Sequence, residues 1–450
     1  MRTNGVAPLI VTGLAIALGI ALVAHNASRH EWSIGYDAGA HLDYARTLAR
    51  GRLPGPDDTY EFFAAPLGYV VPAIACRFSE EAETIAEAWQ WANVGFAAVL
   101  FTVLAIFVGD VASGRFKAWA AATAIGLLAT MPVLPRTFAM ARPEPLLAML
   151  TAVLLVLTTR LARRPGASPW RWAIVGLVAG LMPLTRQWGG PTAVALCLVP
   201  AAAAIRALPW RDAWRRIGIG LAVAVIVAGP FYLSLAVRFG SPLTFNREAA
   251  TQAHETERGE LSNLWRAPIR SNLSGYPAAI VYADWWGDYW LYYHVFAKDD
   301  RGNFRRGSTA TAGRLPEERR RGGNVDEAAG YLGRVAVVSL APTAACLAGL
   351  AWATWVDVRR WPTSPALLGL SAGVILTALG FAWVVLRYDD GSNDVAKATY
   401  LSHLALPLAA AGALLLDRIA DHHPRVALAL LLLLALAAAH NTDALFTNYA

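Results

Sequence analysis

Asp37 and His41 stand four residues apart in the stretch YDAGAHLDYARTLARG (Tyr36 to Gly51), a spacing that puts both on one face of a helix. A carboxylate so placed can serve as a general base or as a helix N-cap, and the roles are compatible because a capped carboxylate is also an oriented one. No Glu or Gln follows three residues on, so the capping box is incomplete. Asp43 lies on the same segment. Cationic candidates sit in short stretches elsewhere: Arg142 with Glu144 in ARPEPLL, Arg186 in LTRQWGG, Arg387 at the start of RYDDGSNDVAKATY, and Lys397 and Tyr400 at its end. Each has a plainer reading. Arg186 can snorkel to a membrane interface, and Arg142 with Glu144 can be a surface ion pair of little energetic weight. The densest motif is ADWWGDYW (283–290), which holds Trp285, Trp286, Trp290, Asp284 and Asp288. Flat rings stack on the C–H faces of sugars while carboxylates accept from hydroxyls; the alternative is an aromatic belt at a membrane interface.

The elements that must position these residues are apolar. The chain has 450 residues, 56% of them hydrophobic and 16% charged, with a mean hydropathy of +0.40. That is less charge than a soluble chain carries, and apolar runs of bilayer length recur, so the expected class is an all-α polytopic membrane protein. The short alternating segments of a membrane β-barrel are missing. Eleven spans are predicted, near 6–24, 91–109, 118–135, 143–159, 172–187, 191–205, 217–237, 333–355, 365–386, 399–416 and 426–439. With a cytoplasmic N-terminus, the basic loops 113–117, 160–172, 206–216, 357–361 and 417–425 all fall on the cytoplasmic side, where positive loops belong. The first run reads as an uncleaved signal anchor, since VAHNAS is a poor cleavage site. The whole chain, 1–450, is read as one membrane domain. Its outward parts are 25–90, with short surface helices at 37–50 and 66–76, and the long loop 238–332, whose polar, Gly-rich end (298–324) is predicted to be mobile.

The net charge of +7 does not point to nucleic acid, because the basic residues lie in short clusters between apolar runs. Cys76, Cys197 and Cys346 are too scattered for a disulfide framework or a metal site. The sequons NAS (26–28) and NLS (272–274) both fall on outward segments. Ion-coupled transporters carry ionisable residues at mid-membrane. Here none lies near the centre of a predicted span. The charges gather at outer ends: Asp37, Arg136, Arg142, Glu144, Arg186, Arg387, Asp389, Asp390, Asp394 and Lys397. This predicts a site at the outer membrane–water boundary, suited to a substrate with a lipid tail and a polar head.

A first span, an acidic residue opening a surface helix, and a Pro-Leu-aromatic stretch (AAPLGY, 64–69) before the second span together resemble the GT-C glycosyltransferases that use polyprenyl-phosphate sugars. These include protein O-mannosyltransferases and the bacterial aminoarabinose and RgtA/B/C/D-like transferases. YDAGAH is also similar to the Asp-Glu-x-x-His motif of the eukaryotic glucosyltransferase that completes the N-glycan precursor, with Ala38 in place of the Glu, and TRQWG (185–189) is similar to its Arg-Gln. Many bacterial members carry His-Pro-Pro-Leu where this chain has Ala64-Ala65-Pro66-Leu67. The resemblance implies inverting transfer of a hexosyl or pentosyl unit from a polyprenyl-phosphate donor to a glycan, lipid or protein acceptor on the extracytoplasmic face of the cell membrane. Asp37 would be the base. Arg186 and Lys397 would hold the donor phosphate, with Arg142, Arg387 and Tyr400 as further candidates there. His41, Asp43, Trp285, Trp286 and Asp288 would face acceptor or sugar. No metal or other cofactor is implied, although a divalent cation is compatible with the chemistry. That chemistry stands on its own terms: the attacking hydroxyl needs a base, and the leaving phosphate needs positive charge rather than a proton. Two other classes compete. A lipid or polysaccharide transporter would need a polar path through the membrane, and an O-antigen ligase- or polymerase-like enzyme would not need the carboxylate at the first span.

Overall fold

The structure, a computed structural model, describes residues 6–114, 116–246, 259–270, 272–293, 296–298, 304–306, 320–321, 325–360, 367–388 and 395–447. In chain order the helices are α1 (Val6–Arg29), α2 (Ala38–Ala49), α3 (Val70–Ala75), α4 (Ala82–Val111), α5 (Lys117–Ala129), α6 (Val133–Ala139), α7 (Glu144–Arg163), α8 (Pro169–Thr185), α9 (Gly189–Ala207) and α10 (Trp210–Phe239). After these come α11 (Asn263–Arg266), α12 (Pro277–Trp286), α13 (Val325–Val338), α14 (Leu340–Arg360), α15 (Leu368–Tyr388), α16 (Ala405–His422), α17 (Pro424–His440) and α18 (Thr442–Leu445). Tight 3-10 turns at Pro66–Tyr69 and Ala398–Leu404 lead into α3 and α16. The all-α expectation holds apart from three short strands, with Phe296–Lys298 paired antiparallel to Phe304–Arg306 and to Arg320–Arg321. The rest of 298–324, and Asp389, Asp390 and Asp394, lie outside the described residues.

Each predicted span overlaps helix, although 118–135 and 333–355 each cross a break between two helices, and length separates the rest. Among the described residues, eight helices are long and apolar enough to cross a membrane. The pair α5 and α6 makes a ninth if counted as one span bent by 64°. The bend falls at Pro132, whose ring and missing N–H interrupt the helix. Helices α8 and α17 have 17 residues each, roughly 25 Å at 1.5 Å per residue, short of a hydrocarbon core of about 30 Å.

Helix ends follow local chemistry. Pro169, Pro277 and Pro424 open α8, α12 and α17, where a missing N–H removes no helix hydrogen bond. Gly240, at φ 77°, closes α10 in the left-handed conformation. Small residues let helices pack backbone to backbone. A Cβ on Gly176 of α8 would lie 2.1 Å from the Gly220 carbonyl oxygen of α10, and one on Gly349 of α14 would lie 2.3 Å from that of Ala411 in α16.

Burial is uneven. The spans at 144–163 and 398–422 are 72% and 89% buried over their most apolar windows, while α1 and α10 are 17% and 11% buried. Helices α7 and α16 are thus the axis of the fold, and α1 and α10 turn most of their surface to lipid. The basic loops gather at one end. Arg160 pairs with Asp110 at 2.7 Å, the Gly114 amide donates to Asp417 at 3.0 Å, and Arg216 donates to the Ala167 carbonyl at 3.0 Å. The other end of α7 and α16 carries Glu144 and the turn that follows Lys397.

Candidate active site

Asp37 ends the loop from α1 and occupies the N-cap position of α2, its carbonyl accepting the His41 amide at 3.0 Å. Its side chain does no capping. The backbone is left-handed, φ 57° and ψ 27°, a conformation costing about 1–3 kcal/mol for most residues and tolerated by Asp and Asn. The carboxylate turns away from the helix and accepts from Lys397 Nζ at 3.0 Å. The capping reading is thereby overturned. Burial works to raise the Asp37 carboxyl, but the positive charge of Lys397 and its hydrogen bond outweigh it and hold the group well below the usual carboxylate range. Lys397 is held above its ordinary value for the complementary reason: burial opposes its charge, and Tyr400 and Asp37 favour it. Its ammonium lies 5.0 Å from the Tyr36 ring centre and 5.7 Å from that of Tyr400.

Beside this pair runs a buried chain of four charges. Arg142 donates from Nε and Nη2 to the two oxygens of Glu144, at 3.0 and 3.1 Å. Arg186 donates from Nε to Glu144 at 3.0 Å and from Nη1 to Glu61 at 2.7 Å. All four are at most 4% exposed. The guanidiniums of Arg142 and Arg186 both lie 5.8 Å from the Tyr400 ring centre. His41 is fully enclosed: Nδ1 meets the Tyr69 hydroxyl at 2.8 Å, and Glu61 is 3.9 Å away. Burial pushes the His41 imidazole down to about 4, so it is neutral at physiological pH.

Asp37, Glu61 and Lys397 line a cavity of about 90 Å³ whose other walls are mostly aromatic, among them Tyr36, Trp290 and Tyr400. Phe63, Phe245 and Tyr400 also border a small space beside Arg186. Beyond it, walled by Gln187, Trp188 and Phe245, an apolar trough of about 220 Å³ runs between α9 and α15 past Phe381 and Trp383. The three spaces are neighbours that share walls: Phe63, Phe245 and Tyr400 border the first two, and Gln187, Trp188 and Phe245 the last two.

Of the predicted residues, Asp37, Lys397, Tyr400, Arg142 and Arg186 come together, but not all in the expected way. Arg186 and Lys397 converge on Tyr400, yet Arg186 is engaged by two carboxylates. The Arg142–Glu144 pair is buried, not a surface contact. His41 does not reach the cavity. Asp43 is exposed and pairs locally with Arg46 at 3.4 Å. Trp285 and Trp286 belong to the main core and, with Cys346 and Leu408, line a separate space of about 200 Å³ that Asp37 does not border. Asp288 accepts the amides of Tyr292 and Tyr293, at 2.9 and 2.7 Å, and shapes a turn. Arg387 is exposed beside the Tyr388 ring. The sequon residue Asn26 is fully buried and donates to the Leu445 carbonyl at 2.7 Å, so its amide is not presented to modification. Glu61 was missed. Its signal was a lone carboxylate in the aromatic run TYEFF (59–63), just ahead of AAPLGY. Tyr36, which walls the cavity, was also missed as a site residue, whereas Trp290, from the aromatic motif, does wall it.

No protein-family model and no curated protein matches the chain. Among solved structures, the Archaeoglobus fulgidus oligosaccharyltransferase in complex with Zn and sulfate aligns over 98% of this chain and 53% of its own, at 15% identity and a TM-score of 0.52. The same archaeal enzyme with an inhibitory peptide and a dolichol-phosphate aligns over 98% and 56%, at 13% identity and a TM-score of 0.49. ArnT from Cupriavidus metallidurans bound to undecaprenyl phosphate aligns over 92% and 79%, at 16% identity and a TM-score of 0.40. The chain thus spans about half the length of the oligosaccharyltransferase, and its fold is GT-C-like.

Proposed function

We propose that the protein is a membrane glycosyltransferase that moves a monosaccharide from a polyprenyl-phosphate donor to an acceptor hydroxyl, with inversion, on the extracytoplasmic face. The observation that carries this reading is the juxtaposition of three parts. A carboxylate–ammonium pair, Asp37 with Lys397, sits in an aromatic-walled cavity, and an apolar trough beside α9 and α15 shares the Phe245 wall with it. That arrangement suits a donor whose sugar stacks on rings, whose phosphate meets a cation and whose tail lies among helices.

In this reading the acceptor oxygen attacks the anomeric carbon as the bond from that carbon to the phosphate oxygen breaks. Asp37 takes the hydroxyl proton. The lipid phosphate leaves as an anion, and Lys397 balances the charge that grows on it. Tyr400 places its ring under the ammonium and under both guanidiniums. Arg186 is a secondary donor ligand, since two of its nitrogens are already taken, Nε by Glu144 at 3.0 Å and Nη1 by Glu61 at 2.7 Å. The basic loops at the end opposite the cavity support a cytoplasmic N-terminus.

The test uses purified protein in nanodiscs with a panel of polyprenyl-phosphate monosaccharides, and it reads release of polyprenyl phosphate. Release that is lost in Asp37→Asn supports the proposal; a folded protein that cleaves no member of the panel refutes it. Cysteines introduced into 298–324 should react with an impermeant reagent on intact cells, and reaction only after permeabilisation would reverse the orientation.

A further inference from the structure

The cavity needs Asp37 and Lys397 within hydrogen-bonding distance, yet they come from loops 360 residues apart. Asp37 follows Tyr36, and Lys397 precedes Ala398. Both neighbours end on one carboxylate. The Tyr36 hydroxyl donates to Asp284 at 3.0 and 3.1 Å to its two oxygens, and the Ala398 amide donates to Asp284 Oδ2 at 2.8 Å. Asp284 is 5% exposed and lies near the end of α12. It is fixed in turn, because its own carbonyl accepts from Arg136 Nη2 at 2.8 Å, and Arg136 is anchored to the Pro132 carbonyl at 3.0 Å. Tyr36 has further restraints: its backbone carbonyl accepts from Arg142 at 3.2 Å, and its ring packs edge-on against Trp290 and Tyr292.

We infer that Asp284 is a positioning residue: by tying the Tyr36 hydroxyl and the Ala398 amide to one carboxylate, it sets the separation of Asp37 and Lys397. It touches neither reacting group. A left-handed backbone at Asp37 needs its surroundings to hold it, and the Tyr36 tie is the restraint next to that position. Burial raises the Asp284 carboxyl to about 6, against the pull of Arg136 and the two hydrogen bonds, so the group is kept here at an energetic cost that packing alone would not require. The inference rests on Asp37 acting as the base, but the tie itself does not depend on any substrate.

Hydrogen–deuterium exchange of the full-length protein in nanodiscs tests the tie directly. Asp284→Ala removes both acceptors, so the amides of 36–41 and of 395–400 should both exchange faster, by about 10-fold for a lost hydrogen bond of ordinary strength. Asp284→Asn keeps an oxygen for the Ala398 amide and a donor for the Tyr36 hydroxyl, and should restore protection in both segments. Tyr36→Phe should loosen 36–41 and leave 395–400 protected. Unchanged exchange in Asp284→Ala, or loosening of one segment alone, overturns the inference. If Asp284→Ala fails to fold, Tyr36→Phe still decides: protection of 36–41 at the wild-type level refutes the tie. With an active donor in hand, Asp284→Ala should lower kcat about 10- to 100-fold, the scale of an ångström-level misplacement, with donor KM little changed. Loss only in proportion to the folded fraction would assign Asp284 to stability alone. A protein with no transferase activity but coupled loosening would sink the proposed function and leave the tie standing.

Discussion

Glu144→Gln is the perturbation with the clearest energetic consequence. It keeps the volume of the side chain, so no cavity forms, and it removes one negative charge from a site that is 1% exposed. Glu144 accepts three charge-assisted hydrogen bonds, two from Arg142 and one from Arg186, at 3.0, 3.1 and 3.0 Å. In the native protein the two arginines are balanced by Glu144 and Glu61. After the change, Glu61 is the one carboxylate left against two buried guanidiniums, and it reaches only Arg186. Breaking a buried pair by removing one partner costs about 3–5 kcal/mol, because the survivor stays charged and desolvated. Arg142 cannot shed its proton, so titration offers no relief. Restoring neutrality should then recover part of the loss. Arg142→Met with Glu144→Gln leaves Arg186 and Glu61 as a balanced pair, at the expense of the charged Arg142 bond to the Tyr36 carbonyl, which is worth about 1.5–3 kcal/mol. The double variant should therefore be more heat-resistant than Glu144→Gln alone. Thermal loss of the monodisperse peak in detergent, measured on wild type, both singles and the double, gives the order directly. A Glu144→Gln midpoint equal to wild type, or a double variant as unstable as the sum of its singles, would refute the reasoning.

Asp37→Asn tolerates the left-handed backbone, so the protein should fold while transfer falls at least about 100-fold, measured as polyprenyl phosphate released per folded protein. Lys397→Met removes the cation that holds Asp37 low, and the burial that remains favours the neutral acid. Since the base must be ionised, the acid limb of kcat/KM should move to higher pH by about one unit or more; a limb that stays in place removes Lys397 as the partner that matters. Gly176→Val would drive a side chain into the Gly220 carbonyl and part α8 from α10, so thermal stability should drop with no change in the pH profile; an unaffected midpoint would show that these helices can separate freely.

The membrane fold was legible because hydropathy and arginine placement are properties of runs, and a run survives any uncertainty about which residue faces which. The bend at Pro132 and the short reach of α8 and α17 were not, since both depend on where a helix ends. At the site, residue types were legible and pairings were not. Asp37, Lys397 and Tyr400 could be singled out because each stands at a boundary between apolar and polar sequence, and the structure brings the three together. Tryptophans in a short motif look alike in sequence, yet Trp290 walls the cavity beside Asp37, while Trp285 and Trp286 line a separate space with Cys346 and Leu408; the Asp288 turn lies between them. Asp37 was expected to cap its helix because position alone suggests it. The carboxylate goes instead to a lysine that no local pattern could have brought near.

Charge balance joins these observations. Asp37, Glu61 and Glu144 face Arg142, Arg186 and Lys397, three carboxylates against three cations, with His41 neutral. The site without a donor is therefore close to neutral, and the carboxylate proposed as base is the one tied most directly to a cation in the cavity. Held well below the ordinary range, Asp37 is a poor proton acceptor in that state. A donor phosphate adds negative charge at the cavity. Of the three cations, Lys397 lines that cavity, and its partner is a single carboxylate, whereas Arg186 is gripped by two and Arg142 by both oxygens of one. The phosphate would draw on Lys397 first. Any weakening of the lysine's hold lets the Asp37 carboxyl rise toward the range in which it can take a proton. On this argument one lysine serves both halves of the reaction, and the base gains strength as the leaving group is bound. An arginine at that position, with its fixed charge and bidentate fork, would grip Asp37 more firmly and weaken that coupling.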